Sequence, residues 1–168
     1  QRLESEGKIK RTYGGAILER EKSFNDNTIS RVFVDLESKE YLGKLVLDII
    51  EENDIIFLDI STTNHTIATI LKSTTKNITV ITNMNRIAME FDHNSNIDVI
   101  LIGGEYNKKL GGTIGAGAID QIGKVRIDKA FIGVGGVNVE ENFISNFNYD
   151  ESFTKNKILK NSKKNYIV

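Results

Sequence analysis

The chain has 168 residues, enough for about one domain with a sizeable buried core. Its balance of 39% hydrophobic and 27% charged residues excludes a disordered chain, and no apolar run approaches the roughly 20 residues that span a bilayer. Cys is absent, which excludes disulfide frameworks, thiolate nucleophiles and Cys-ligated metals; the 22 basic and 23 acidic residues exclude bulk nucleic-acid binding by the whole surface and leave a local basic patch open.

The first residues are polar, with one Leu and no initiator Met, and read as the tail of something larger. Lys8, Lys10 and Arg11 then alternate with apolar or hydroxyl residues before Gly14-Gly15, the pattern of a short exposed strand pair. These three cations suit nucleic-acid phosphates or, equally, a solvated strand edge. A polar linker around Asp26 leads to the body of the domain, from about Val32 onward.

From there helices and strands alternate. Tyr41, Leu42, Leu45, Val46, Ile49 and Ile50 recur at three and four, predicting a helix over 37–53. Residues 54–60 (DIIFLDI) predict a buried strand, and Ser61 or Thr62 can cap the helix that follows. The β-branched run 78–82 (ITVIT) predicts a second strand and 84–91 a short helix. Residues 97–102 (IDVILI) predict a third strand, ended by Gly103-Gly104. A modest helix over 115–124, a strand over 129–134, a helix over 150–161 and a strand opening at Tyr166 complete the pattern. Pro is absent, so sharp turns fall to Gly, Asn, Asp and Ser. Near-continuous apolar strands joined by helices predict an α/β fold, a mostly parallel sheet covered by helices on both faces.

Ligands of open parallel sheets bind beyond the carboxyl ends of the strands. Four such ends are polar or Gly-rich: Asp59 to Asn64, Thr82 to Asn85, Gly103 to Glu105, and Gly133 to Asn138. Together they suit one pocket. At the first, the hydroxyls of Ser61, Thr62 and Thr63 meet the start of a helix, where free amides and partial positive charge favour a phosphate or carboxylate. The same hydroxyls serve equally as helix caps, and the Gly pairs as simple strand ends. Gly133-Val134-Gly135 opens like a dinucleotide fingerprint but reaches Asn138 where the last Gly belongs, and no P-loop occurs. His65 and His93 have no partner at ligand spacing, so neither a metal site nor a cofactor is expected. Asp59 and Glu151 are the only plausible general bases, and Asp59 suits equally well the fixing of its own loop.

Several ordered blocks resemble the DeoR family of bacterial transcriptional regulators over nearly the whole chain. Residues 3–16 look like the junction at which that family's recognition helix runs into a basic wing and a GGA segment, here Gly14-Gly15-Ala16. Ile56-Phe57-Leu58-Asp59-Ile60-Ser61-Thr62-Thr63 is similar to its IFLDSGTT loop. Val80-Ile81-Thr82-Asn83, Leu101-Ile102-Gly103-Gly104 and the run from Ala130 to Val137 match further blocks. Residues 148–155 resemble an N..EA..K segment with Glu151 and Lys155 in register. The chain departs from the family at Ile60 and Ser61, where Ser and Gly are usual, and at Gly135, where Asp is usual.

The resemblance implies a sensor domain folded like ribose-phosphate isomerases and CoA-transferases, in a cytoplasmic regulator of sugar metabolism genes that is not an enzyme. Residues 1–31 are then a remnant of a DNA-binding wing and linker, with Lys8, Lys10 and Arg11 on DNA. Residues 32–168 are the effector domain, stopping before a closing D..KF segment whose Lys helps hold phosphate. The implied effector is a phosphorylated sugar at Asp59, Ser61, Thr62, Thr63, Thr82, Asn83, Gly103, Gly104, Gly133, Gly135, Glu151 and Lys155. The implied partners are operator DNA, through a preceding helix-turn-helix, and further copies of the chain in a dimer or tetramer. A sugar-phosphate isomerase or transferase on the same fold is the alternative, and an oligomerisation module with an empty pocket a third.

Overall fold

The computed structural model describes residues 31–93, 96–146 and 148–168 in full, and the backbone of 9–12 and 15–18. Lys8 and the side chains of Lys10 and Arg11 lie outside the described residues. Strands β1 (Ile9–Thr12) and β2 (Gly15–Leu18) form an antiparallel pair, with Lys10 opposite Ile17 and Arg11 opposite Ala16.

The body is a five-stranded parallel sheet. Its strands are β3 (Ile55–Leu58), β4 (Ile78–Thr82), β5 (Ile97–Leu101), β8 (Ile127–Ile132) and β11 (Ser162–Ile167), in the order β11-β8-β3-β4-β5. Their apolar runs look continuous in sequence because both faces are covered, yet the pleat still sorts them by parity. Ile56, Leu58 and Val80 point to one face, beneath α1 (Leu36–Ile49), α2 (Thr62–Leu71) and α3 (Asn85–Met89). Phe57, Ile81 and Ala130 point to the other, beneath α4 (Ala116–Ile122) and α5 (Tyr149–Asn161). The α/β architecture expected from the alternation is the one observed.

Local departures have identifiable causes. Helix α1 stops at Ile49 instead of running to residue 53. Ile50 turns extended, Asn53 takes a left-handed conformation, and Asp54 Oδ2 accepts from the Glu51 amide at 2.6 Å, which closes the turn into β3. Strand β5 is apolar but not buried: Val99, Ile100 and Leu101 are 37–46% exposed, because β5 is the sheet's edge. Strand β11 opens four residues before Tyr166, through Ser162, Lys163, Lys164 and Asn165. An edge strand pairs through its backbone, so polar side chains do not prevent it. Two short antiparallel pairs, β6 (Glu105–Asn107) with β7 (Gly112–Ile114) and β9 (Gly136–Asn138) with β10 (Phe143–Ser145), sit in the loops after β5 and β8.

The strand order positions the site. From β3 the chain moves outward through β4 to β5, then crosses back to place β8 on the other side of β3. The reversal opens a crevice at the carboxyl ends of β3 and β8, the usual place for a ligand in such a sheet.

Candidate functional site

The segment after β3 turns directly into α2. Ser61 is the N-cap, and its Oγ accepts from the Asn64 amide at 3.0 Å. The amides of Thr62 and Thr63, also in the first turn, have no acceptor within the helix. Thr62 and Thr63 line a cleft together with Ile60, Ser61, Arg31, Leu110 and Val168. Its opposite wall comes from the loop after β8 (Gly133, Val134, Gly135), from Asn146, and from Glu151 and Lys155 on α5.

Beneath the cleft lies a buried group of charges. Lys155 Nζ is 3.0 Å from Asp59 Oδ2 and 3.0 Å from Glu151 Oε1, and it also donates to the Gly133 carbonyl. Asp59 Oδ1 accepts from Asn64 Nδ2 at 2.7 Å and from the Gly133 amide at 3.0 Å. All three charged residues are at most 5% exposed. Burial pulls the Lys155 pKa down, but the Asp59 and Glu151 carboxylates outweigh it and hold the ammonium above the ordinary lysine value. Helix α5 delivers Glu151 and Lys155 one turn apart on one face. Its own start is capped by Asn148, whose Oδ1 accepts from the amides of Asp150 and Glu151.

Of the residues singled out in the sequence, Ser61, Thr62, Thr63, Gly133, Gly135, Glu151 and Lys155 line this cleft, with Asp59 directly beneath. Thr82, the last residue of β4, and Asn83, Gly103 and Gly104, which follow β4 and β5, are not among the residues lining this cleft. Thr82 Oγ1 accepts from the Met84 amide, and Asn83 Nδ2 donates to the Thr113 carbonyl at 2.8 Å. The Gly103 amide donates to Gln121. Gly104, at φ 146°, lies so close to Ala118 and the Ile114 carbonyl that a Cβ would crowd both. Asn83 and Gly104 thus help to seat the β6–β7 pair. Ile60 and Val134, which also line the cleft, stand inside segments the sequence already marked, whereas Arg31, Leu110, Asn146 and Val168 were not singled out. Of the latter, only Asn146 carried any signal, as a polar residue just before the α5 cap; the others are brought in by the fold.

The departures at 60 and 61 also have a structural account. Ile60 is 5% exposed and packs on Gly112, where a Cβ would stand 2.6 Å from its side chain. Ser61 caps α2 and fills the space above Gly133. Among the described residues no cluster of His, Asp and Glu is suited to a metal. His65 instead faces Glu90 at 3.1 Å, joining α2 to the turn after α3.

A family model described as the DeoR C terminal sensor domain matches residues 34–168. The chain belongs to this family. The chain is 30% identical over 161 residues to the glycerol-3-phosphate regulon repressor of Escherichia coli (strain K12), covering 96% of this chain and 63% of that protein. It is 33% identical over 165 residues to the HTH-type transcriptional regulator GolR of Listeria innocua, again covering 96% of this chain and 63% of the relative. The chain thus spans a little under two thirds of the curated relatives it matches. Ribose 5-phosphate isomerase A from Methanocaldococcus jannaschii has the same fold, with a TM-score of 0.56 at 12% identity over 78% of this chain and 51% of that one.

Proposed function

We propose that this DeoR sensor domain binds a phosphorylated sugar or polyol and serves a bacterial transcriptional regulator, not an enzyme. One observation carries the reading: the uncapped amides and hydroxyls at the start of α2 open onto the same cleft as the buried Asp59–Lys155–Glu151 group. A phosphate suits the helix start, where backbone donors and the macrodipole favour an anion without a lysine. The remainder of the ligand then lies toward Gly133, Gly135 and Glu151. The names of the relatives, a glycerol-3-phosphate regulon repressor and a transcriptional regulator, support regulation as the use of such a site.

The rest of the reading concerns the whole protein. Residues 1–31 belong with a DNA-binding region, in which Lys8, Lys10 and Arg11 contact operator phosphates. Arg31, where the described body begins, reaches the cleft and so couples its occupancy to the segment leading toward that region. A ligand acts by binding one arrangement better than another, and that differential affinity sets the response. The exposed apolar edge strand β5 supports assembly into a dimer or tetramer. The protein works in the cytoplasm, where operator DNA lies.

Thr63→Val tests the phosphate position. It removes a hydrogen bond to a charged group, worth roughly 1.5–3 kcal/mol. The thermal stabilisation given to wild type by a bound sugar phosphate is expected to shrink correspondingly in the variant. Equal stabilisation of both proteins contradicts the pose, and turnover of the sugar phosphate by wild type contradicts the regulator.

A further inference from the structure

The buried charged group beneath the cleft is held together largely by its own members. Lys155 donates to the Gly133 carbonyl and stands 3.0 Å from Asp59 Oδ2 and 3.0 Å from Glu151 Oε1, an ion pair with each. Asp59 Oδ1 accepts from Asn64 and the Gly133 amide, and its Oδ2 has only the ion pair with Lys155. Asp59 lies beneath the cleft at 1% exposure, whereas the cleft is lined by Glu151. Its Oε2 is buried with no hydrogen-bond partner, on a side chain that lines the cleft at 5% exposure. Asn146, on the same wall, also has a buried side-chain oxygen without a partner. A buried acceptor left unmatched is costly, and buried polar groups in folded proteins are rarely left so. The charges point the same way, since two carboxylates against one ammonium leave the group negative.

Resting on the cleft's reading as a site for a phosphorylated ligand, we propose that Glu151 Oε2 is its specificity gate. The ligand must present a proton donor there, a hydroxyl or an ammonium, and a phosphorylated acid whose carboxylate falls at that point is rejected. The effector class is thus narrowed to phosphorylated polyols and amino sugars. Acceptor facing acceptor is the repulsive element that makes the selection.

The test is calorimetric titration of the 168-residue chain with polyol phosphates of three to six carbons and with the phosphorylated aldonic acids of equal length. Inorganic phosphate sets the baseline, and glucosamine 6-phosphate against glucose 6-phosphate separates ammonium from hydroxyl. At the best-fitting length the polyol phosphate is expected to bind at least tenfold more tightly than its acid. In Glu151→Gln the gap closes, because the amide can donate to the acid's carboxylate. If Glu151→Gln does not fold, the wild-type ratio decides alone. Acids that equal or exceed polyols at every length overturn the gate. So does a Glu151→Gln variant that weakens both and keeps their ratio. Binding of phosphate compounds with no such discrimination sinks this inference alone, whereas no binding by any of them sinks the cleft's reading with it.

Discussion

Gly133 is where the site is tightest. A Cβ placed on it would stand 2.3 Å from Ser61 Cβ and 2.6 Å from Ser61 Oγ, closer than real atoms approach. The amide and carbonyl of the same residue hold Asp59 and Lys155, so the backbone there has little room to yield. Gly133→Ala is therefore expected to destabilise the domain by about 1–3 kcal/mol, the usual range for overpacking. Adding Ser61→Gly removes the clashing atoms at a cost of only a few tenths of a kcal/mol in capping, so the double variant recovers most of the loss. Urea unfolding of the four proteins measures this, and a double variant as weak as Gly133→Ala alone contradicts the account. Residue identity made part of this legible. A hydroxyl at a helix start and Gly at a strand end are visible in sequence, each with two meanings. The contact between them was not visible, because it exists only once β3 and β8 lie side by side. For the same reason, the sequence marks Lys155 as an effector residue but does not show its ion pairs with Asp59 and Glu151.

Helix α5 shows the same logic at the level of an element. Its N-cap Asn148 accepts from two first-turn amides, one of them that of Glu151, and so fixes where Glu151 and, a turn later, Lys155 meet the cleft. Asn148→Ala is expected to cost ~1 kcal/mol of stability and to weaken binding of a phosphorylated polyol, while Asn148→Asp retains both. Denaturation and titration of the two variants check this; an Asn148→Ala protein with unchanged stability contradicts the capping role. Helices α1, α2 and α5 were legible because their apolar spacing or caps stand in one continuous stretch. The β6–β7 and β9–β10 pairs were not, since three-residue strands bounded by Gly and Asn leave no period to read. Strand β11 was seen only from Tyr166 on, because its first four residues are polar and owe their pairing to the backbone of β8.

Across the whole molecule, the reversal of strand order between β3 and β8 decides what lies near what. The parallel sheet and its two covered faces were legible from alternating helices and apolar strands. The order of the strands was not, which is why Thr82, Asn83, Gly103 and Gly104 read as part of one pocket but lie at the ends of β4 and β5, outside the lining of the cleft. The same layout buries a lysine at each end of the sheet: Lys155 over Asp59 and Glu151 near the cleft, and Lys129 against Asp54 at the far end. In both, burial lowers the pKa and the neighbouring carboxylates more than restore it, leaving the folded value raised. Such groups lend their stability in full below the unfolded lysine value of about 10.4 and lose it as pH climbs through the folded value. Unfolding free energy is thus expected to fall progressively above roughly pH 10.4, and less steeply in Lys155→Gln, which is already weaker at neutral pH. A Lys155→Gln protein with the wild-type alkaline slope contradicts this. The central claim is that the start of α2 holds a phosphate. Its most direct measurement is calorimetric titration of the chain with sugars and polyols in phosphorylated and unphosphorylated form. Saturable binding only of phosphorylated members, weakened by Thr63→Val, is the predicted result; equal binding of unphosphorylated counterparts, or none by any member, contradicts it.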